Sequence, residues 1–207
     1  MKNNTFVVFT RRVLSFLIFS ASILLAPLVL GLEAKKAEYV EKTVVSGVEF
    51  ENTVEIKGQM FEIMGAGLMR YMIIMRGYSA ALYLGEGYKA EDLFDDIPKW
   101  LEIEYYHDIP ASGFVKATRQ GLEANLGKDE LERMSAQIDL LYACYRDIEK
   151  HDRYSFVYLP GYGSDLLLNN DLLCSFNGQG FADAFFSIWL GENPLDERLK
   201  RDLFGQE

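Results

Sequence analysis

The chain has two cysteines and two histidines in 207 residues. Cys144 and Cys174 are too few to make a disulfide framework for a domain of ordinary size. Two buried small hydrophobes is the default reading, with a single disulfide as the alternative once the chain is exported. His107 and His151 have no cysteine or carboxylate at ligand spacing, so a zinc site is not supported and no cofactor is called for. No period of 20–50 residues recurs, which excludes solenoids and propellers, and low-complexity linkers are absent. Positive charge is also scarce. The formal net charge is −10, so counterion release works against nucleic acid or an anionic membrane surface as partner.

The basic residues that exist near the N-terminus are placed informatively. Lys2, Arg11 and Arg12 precede an almost wholly apolar run from Val13 to Leu32, and small residues follow at Gly31 and Ala34. That order is a secretory signal peptide, cleaved after roughly Gly31 or Ala34. Residues 1–34 are therefore read as the leader and 35–207 as one domain, periplasmic or secreted. No cysteine near the cut speaks for a lipoprotein. Uncleaved, the run is long enough to span a bilayer and would anchor the protein, the one membrane contact expected. Loss of residues 1–31 removes three positive charges and no negative ones, taking the net charge to −13.

From Val44 the pattern is one of short strands. Val54 to Ile56 and Gln59 to Ala66 form a hairpin about Lys57-Gly58, and Met72 to Leu84 reads as a longer strand buried on both faces. A short helix is expected over Ala90–Asp96 and a strand over Lys99–Tyr106. Ser112 is a candidate cap for a helix with Phe114, Thr118 and Leu122 on one face. Leu131, Met134, Ile138, Leu141, Tyr142 and Tyr145 then mark one amphipathic helix. A strand over Arg153–Leu159 and a hairpin about Asn169-Asn170-Asp171 follow, then helices over Phe181–Trp189 and Asp196–Leu203. Segregated runs of this kind give an α+β fold, an antiparallel sheet covered on one face by helices.

Within this order, Phe61 to Gly67 reads as a strand ending in a small-residue bend, followed by a strand carrying Arg70 and Tyr78. Gly65 and Gly67 allow a close backbone approach or a positive φ. Eight residues is an even spacing, so in one unbroken strand the guanidinium and the phenol leave the same face. Such a pair suits the anionic end of an apolar molecule. The alternative is an edge strand whose arginine reaches water while the tyrosine packs in the core.

Four blocks give the chain a resemblance. They are Gly65-Ala66-Gly67 with Arg70; Arg76 to Leu84; Tyr106 to Ile109 with Phe114 to Ala117 and Gly121 to Glu123; and Phe181 through Trp189-Leu190-Gly191 to Pro194. A weaker fifth runs from Asp152 to Gly163 into Asn169-Asn170. In order and spacing the chain resembles the chalcone isomerase-like family, and within it the exported bacterial branch, from about Val48 to Leu203. The resemblance implies an open-faced β-sandwich, a large curved antiparallel sheet packed on a helical layer with a ligand cleft between. It also implies a divided function. Plant enzymes of the family close chalcones with an arginine just after the Gly-Ala-Gly block, a threonine on the next strand, and a helix tyrosine and asparagine. Non-enzymatic members keep the arginine, carry tyrosine at the threonine position and bind fatty acids.

Here Arg70 falls one residue later than that pattern, with Met69 between, and Tyr78 stands at the threonine position. The departure favours binding over cyclisation. The first expectation is a binding protein for a fatty acid or similar amphiphile with an anionic head. Arg70 and Tyr78 would hold the head, and Met64, Met72, Met75, Phe181 and Phe185 the tail. The second is an isomerase or intramolecular lyase, with Arg70 stabilising an oxyanion and Tyr78 as general acid, and His107 as the other proton carrier against a reading as an exposed surface residue. The third is an envelope interaction protein with Tyr162 as a surface contact.

Overall fold

The computed structural model describes residues 41–71 and 75–206. The expected leader therefore lies outside the described residues. No described helix is long and apolar enough to cross a membrane.

Among the described residues a two-stranded hairpin, β1 (Lys42–Val45) and β2 (Val48–Glu51), comes first. A seven-stranded sheet follows: β3 (Thr53–Ile56), β4 (Gln59–Tyr71), β5 (Met75–Gly85), β6 (Lys99–Tyr105), β7 (Arg153–Leu159), β8 (Gly163–Leu168) and β9 (Asp171–Phe176). Its strands lie side by side in chain order and every neighbouring pair is antiparallel. The long excursion between β6 and β7 holds α1 (Ala111–Asn125), α2 (Lys128–Arg133) and α3 (Ser135–Cys144). After the sheet come α4 (Gln179–Leu190) and α5 (Glu197–Leu203). The architecture is the α+β, open-faced sandwich expected, a curved antiparallel half-barrel with a helical layer.

β5 shows how one strand serves two cores. Tyr78, Ala80, Leu82 and Leu84 enter the core shared with the helices, while Ala81 and Tyr83 enter a smaller core with Val48 and Phe50 of β2 and Phe61 of β4. Alternate side chains leave opposite faces, so a strand covered on both sides must be apolar throughout, as its sequence indicates.

Turn chemistry is where sequence and structure agree most closely. Lys57-Gly58 and Asn169-Asn170 all take positive φ, the backbone that two-residue hairpins require. Asn169 also accepts a hydrogen bond from the Arg153 N–H at 2.8 Å, tying the turn to the start of β7.

Several expectations need correction. β4 continues through Gly65–Gly67 to Tyr71, with a register shift between Ile63 and Gly65 and no bend that ends the strand. The glycines are there for closeness: a Cβ on Gly67 would sit 2.5 Å from the Asp202 Cβ of α5. Ser112 is not the cap of α1, whose N-cap is Pro110. The amphipathic helix expected over Leu131–Tyr145 is split at Met134 (φ −96°, ψ 3°) into α2 and α3. Ala90–Asp96 gives a single 3₁₀ turn, Ala90–Asp92. Finally, Cys144 and Cys174 are not two separate small hydrophobes but a disulfide, with Cα atoms 6.2 Å apart, joining the end of α3 to β9.

Candidate ligand cavity

Between the inner face of the sheet and the helices lies a cavity of about 330 Å³. This is the lower part of the range for small-molecule sites, roughly 300–1,000 Å³. β5, β6 and β7 supply the sheet wall: Tyr78, then Leu101, Ile103 and Tyr105, then Tyr154 and Phe156. The facing wall is Phe114, Ala117 and Thr118 of α1, Tyr145 just past α3, and Phe185, Ile188 and Trp189 of α4.

Aromatic rings hold these walls in place. Tyr105 packs against Tyr78 (5.5 Å between centroids) and edge-on to Phe114 (5.3 Å). Phe156 stacks on Phe185 at 3.9 Å, which itself meets Trp189 at 5.2 Å. Offset and edge-to-face geometries of this kind add stability beyond burial and keep rings rigid.

The polar atoms are few and mostly paired. Trp189 Nε1 donates to Tyr78 Oη at 2.9 Å, and the Thr118 and Tyr145 hydroxyls share a bond of 2.7 Å. Tyr154 Oη accepts from the Arg146 N–H at 2.9 Å. Among the described residues, nothing bonds to the Tyr105 hydroxyl. Burial pushes the Tyr78, Tyr105 and Tyr145 phenols well above their ordinary range, although Trp189 and Thr118 pull back on the first and last. These groups are neutral donors at physiological pH and poor bases. Tyr78, already accepting from Trp189, keeps its own proton to donate.

The structure divides the sequence-derived site. Tyr78, Met75 and Phe185 line the cavity. Phe181 is buried but stacks on Phe176 of β9 (4.6 Å), and Met64 packs against the same core, neither reaching the cavity wall. Met72 lies outside the described residues. Arg70 does not join Tyr78. The two stand on separate antiparallel strands, with Arg70 opposite Arg76 and Met69 opposite Tyr78. Even spacing therefore does not put them on one face. Met69 lines the cavity, whereas Arg70 is exposed and borders a separate hollow with Asp196, Glu197, Arg198 and Asp202. His107 is exposed at the rim, its Nε2 2.9 Å from the Arg76 carbonyl oxygen. Tyr162 stands 79% exposed in its loop on the other side of the sheet.

Sequence reasoning missed Met69, Tyr105, Tyr145 and Trp189 as cavity walls. Tyr105 had a signal, since it continues the alternation Leu101, Ile103 on one face of β6. Tyr145 stood on the apolar face of the expected helix, but its place on the cavity wall depends on where α3 ends. Among the described residues no group of His, Cys, Asp or Glu is placed to hold a metal ion.

Residues 42–205 match the family described as chalcone isomerase-like. The chain belongs to that family. Among solved structures, this chalcone isomerase-like protein is similar to a fatty-acid binding protein from Arabidopsis thaliana, with a TM-score of 0.61 and 16% identity over 79% of this chain and 96% of the other. That likeness is one of fold. Among curated proteins, none matches the chain by sequence.

Proposed function

We propose that this chalcone isomerase-like protein binds a fatty acid or similar apolar acid in the cavity between sheet and helices, and does not close chalcones. The supporting observation is the wall itself: aromatic and aliphatic side chains in fixed packing, with no acidic residue and no lysine among the described residues that line it. A preformed apolar cavity gains its affinity from burying tail surface, about 25 cal/mol per Å². The fatty-acid binding protein of similar fold makes the ligand class a reasonable first choice. Cyclisation is disfavoured because Met69 stands opposite Tyr78 where a guanidinium would be needed, and the Tyr78 oxygen already accepts from Trp189. As part of the same proposal, the protein works outside the cytoplasm after residues 1–34 are removed, or else anchored by them.

Titration calorimetry with dodecanoate on delipidated protein tests the reading. Binding is expected in the wild type and should be lost in Ala117→Trp, which puts an indole on an exposed stretch of the cavity wall without disturbing the core. A hydroxylated chalcone should close no faster than in protein-free buffer at matched pH. Cyclisation above that background would replace binding by the isomerase reading. Unchanged affinity in Ala117→Trp would move the ligand elsewhere.

A further inference from the structure

A second, polar cleft of about 380 Å³ adjoins the cavity, and Met75, Arg76 and His107 border both. Its other walls include Ser46 and Gly47 of the turn between β1 and β2, Tyr106, Glu104, Lys150 and His151. Four nitrogen bases therefore surround one opening: Arg76, Lys150, His107 and His151.

The two permanent cations lack carboxylate partners among the described residues. The Arg76 guanidinium sits over the Tyr106 ring, 4.9 Å from its centroid, and its hydrogen bond among the described residues is a long contact of 3.4 Å to the Ser46 carbonyl oxygen. Lys150 is exposed, and its backbone N–H donates to Asp108 Oδ1 at 2.9 Å. The acidic group in the cleft is already engaged: Glu104 meets Arg153 Nη2 at 2.7 Å and His151 Nδ1 at 3.0 Å. The cavity interior offers the opposite environment. Its hydroxyls are neutral, and among the described residues the basic side chains on its wall are Arg76 and His107 at the rim. A carboxylate taken deep among the phenols would be desolvated without a counter-ion, which disfavours that placement.

We infer that the cleft is the head-group subsite of the cavity. Its ligand is a single-chain amphiphile with a compact oxyanion, carboxylate or phosphate monoester. The tail lies against Tyr105, Phe114 and Phe185, and the head meets Arg76, with Lys150 and His107 beside it. A planar guanidinium takes either oxyanion bidentately, and its stacking on Tyr106 holds it ready to do so. This rests on the cavity as the tail site and replaces Arg70, which borders a separate hollow with Asp196 and Asp202, as the expected anchor.

The test uses dodecanoate, dodecyl phosphate and neutral dodecanol on the purified protein, with near-ultraviolet circular dichroism checking the fold of each variant. Arg76→Ala should weaken both anions tenfold or more while leaving dodecanol within about twofold, and Arg76→Lys should recover part of the loss. Lys150→Ala should weaken dodecyl phosphate more than dodecanoate, since the phosphate carries more charge. If dodecanol falls as far as the anions in Arg76→Ala, or if Arg70→Ala weakens the anions and Arg76→Ala does not, the head-group cleft is wrong and the cavity reading stands. If neither the anions nor dodecanol bind the wild type, the cavity reading fails and this inference with it.

Discussion

Lys99, at the start of β6, is an ammonium with no solvent exposure at all. It donates to the carbonyl oxygens of Leu93 (2.7 Å) and Asp95 (3.2 Å) and to Asp183 of α4 (2.5 Å). Burial holds the Asp183 carboxyl above its usual range, and Lys99 opposes that shift by favouring the anion. One ion pair thus pins α4 to the sheet beneath it. Asp183→Asn leaves the buried charge with two carbonyls and no counter-ion, and should cost about 3 kcal/mol in urea unfolding, the lower end for a broken buried pair. Lys99→Met, which removes the charge as well, should cost less. The sequence placed Lys99 at a strand start and gave no hint of its partner 84 positions away.

Among the elements, α3 and β9 depend most on a single link. The Cys144–Cys174 disulfide closes a loop of 30 residues and fixes the end of α3 beside the sheet edge. Tyr145, the next residue, lines the cavity, so the link also holds a cavity wall. Loop closure of this length is worth about 3–4 kcal/mol in the chain-entropy account. The double variant Cys144→Ser, Cys174→Ser should lose stability of that order in urea, and the reducing agent that weakens the wild type should leave the variant's midpoint unchanged. The α1–α4 packing has a similarly local cause. A Cβ on Gly121 would lie 2.6 Å from Ile188 Cγ2, so the absence of a side chain there lets the two helices close over the cavity.

For the whole molecule, the cluster of buried phenols sets an upper pH limit. Tyr78, Tyr105 and Tyr145 have native pKa values raised by burial above the unfolded value of about 10. Above that pH the unfolded chain releases protons that the native state retains, so stability falls as pH rises; below it, these groups contribute no pH dependence. Urea midpoints should be flat in these groups up to about pH 9.5 and drop between roughly pH 10 and 11.5. Phenolate absorbance from the buried set should appear together with unfolding and not before it. Smooth titration of all tyrosines in the folded protein would mean that the cavity admits water and hydroxide freely.

Local rules and composition carried much of the fold. Alternation in β6 and β7, the positive-φ turns at Lys57-Gly58 and Asn169-Asn170, and the blocks around Gly65, Tyr78 and Trp189 led to an α+β sheet-and-helix architecture of the chalcone isomerase type. Those signals are legible because strand period and turn chemistry act over a few residues. The site was less so. Whether Arg70 shares a face with Tyr78 depends on where β4 ends, and a strand that runs on through Gly-Ala-Gly puts Met69 opposite Tyr78 and turns Arg70 away. The partners that define the cavity lie far apart in the chain: Trp189 with Tyr78, Thr118 with Tyr145, Cys144 with Cys174. Register and helix docking decide those meetings, and both are set by the mutual packing of the two layers, which no local pattern encodes.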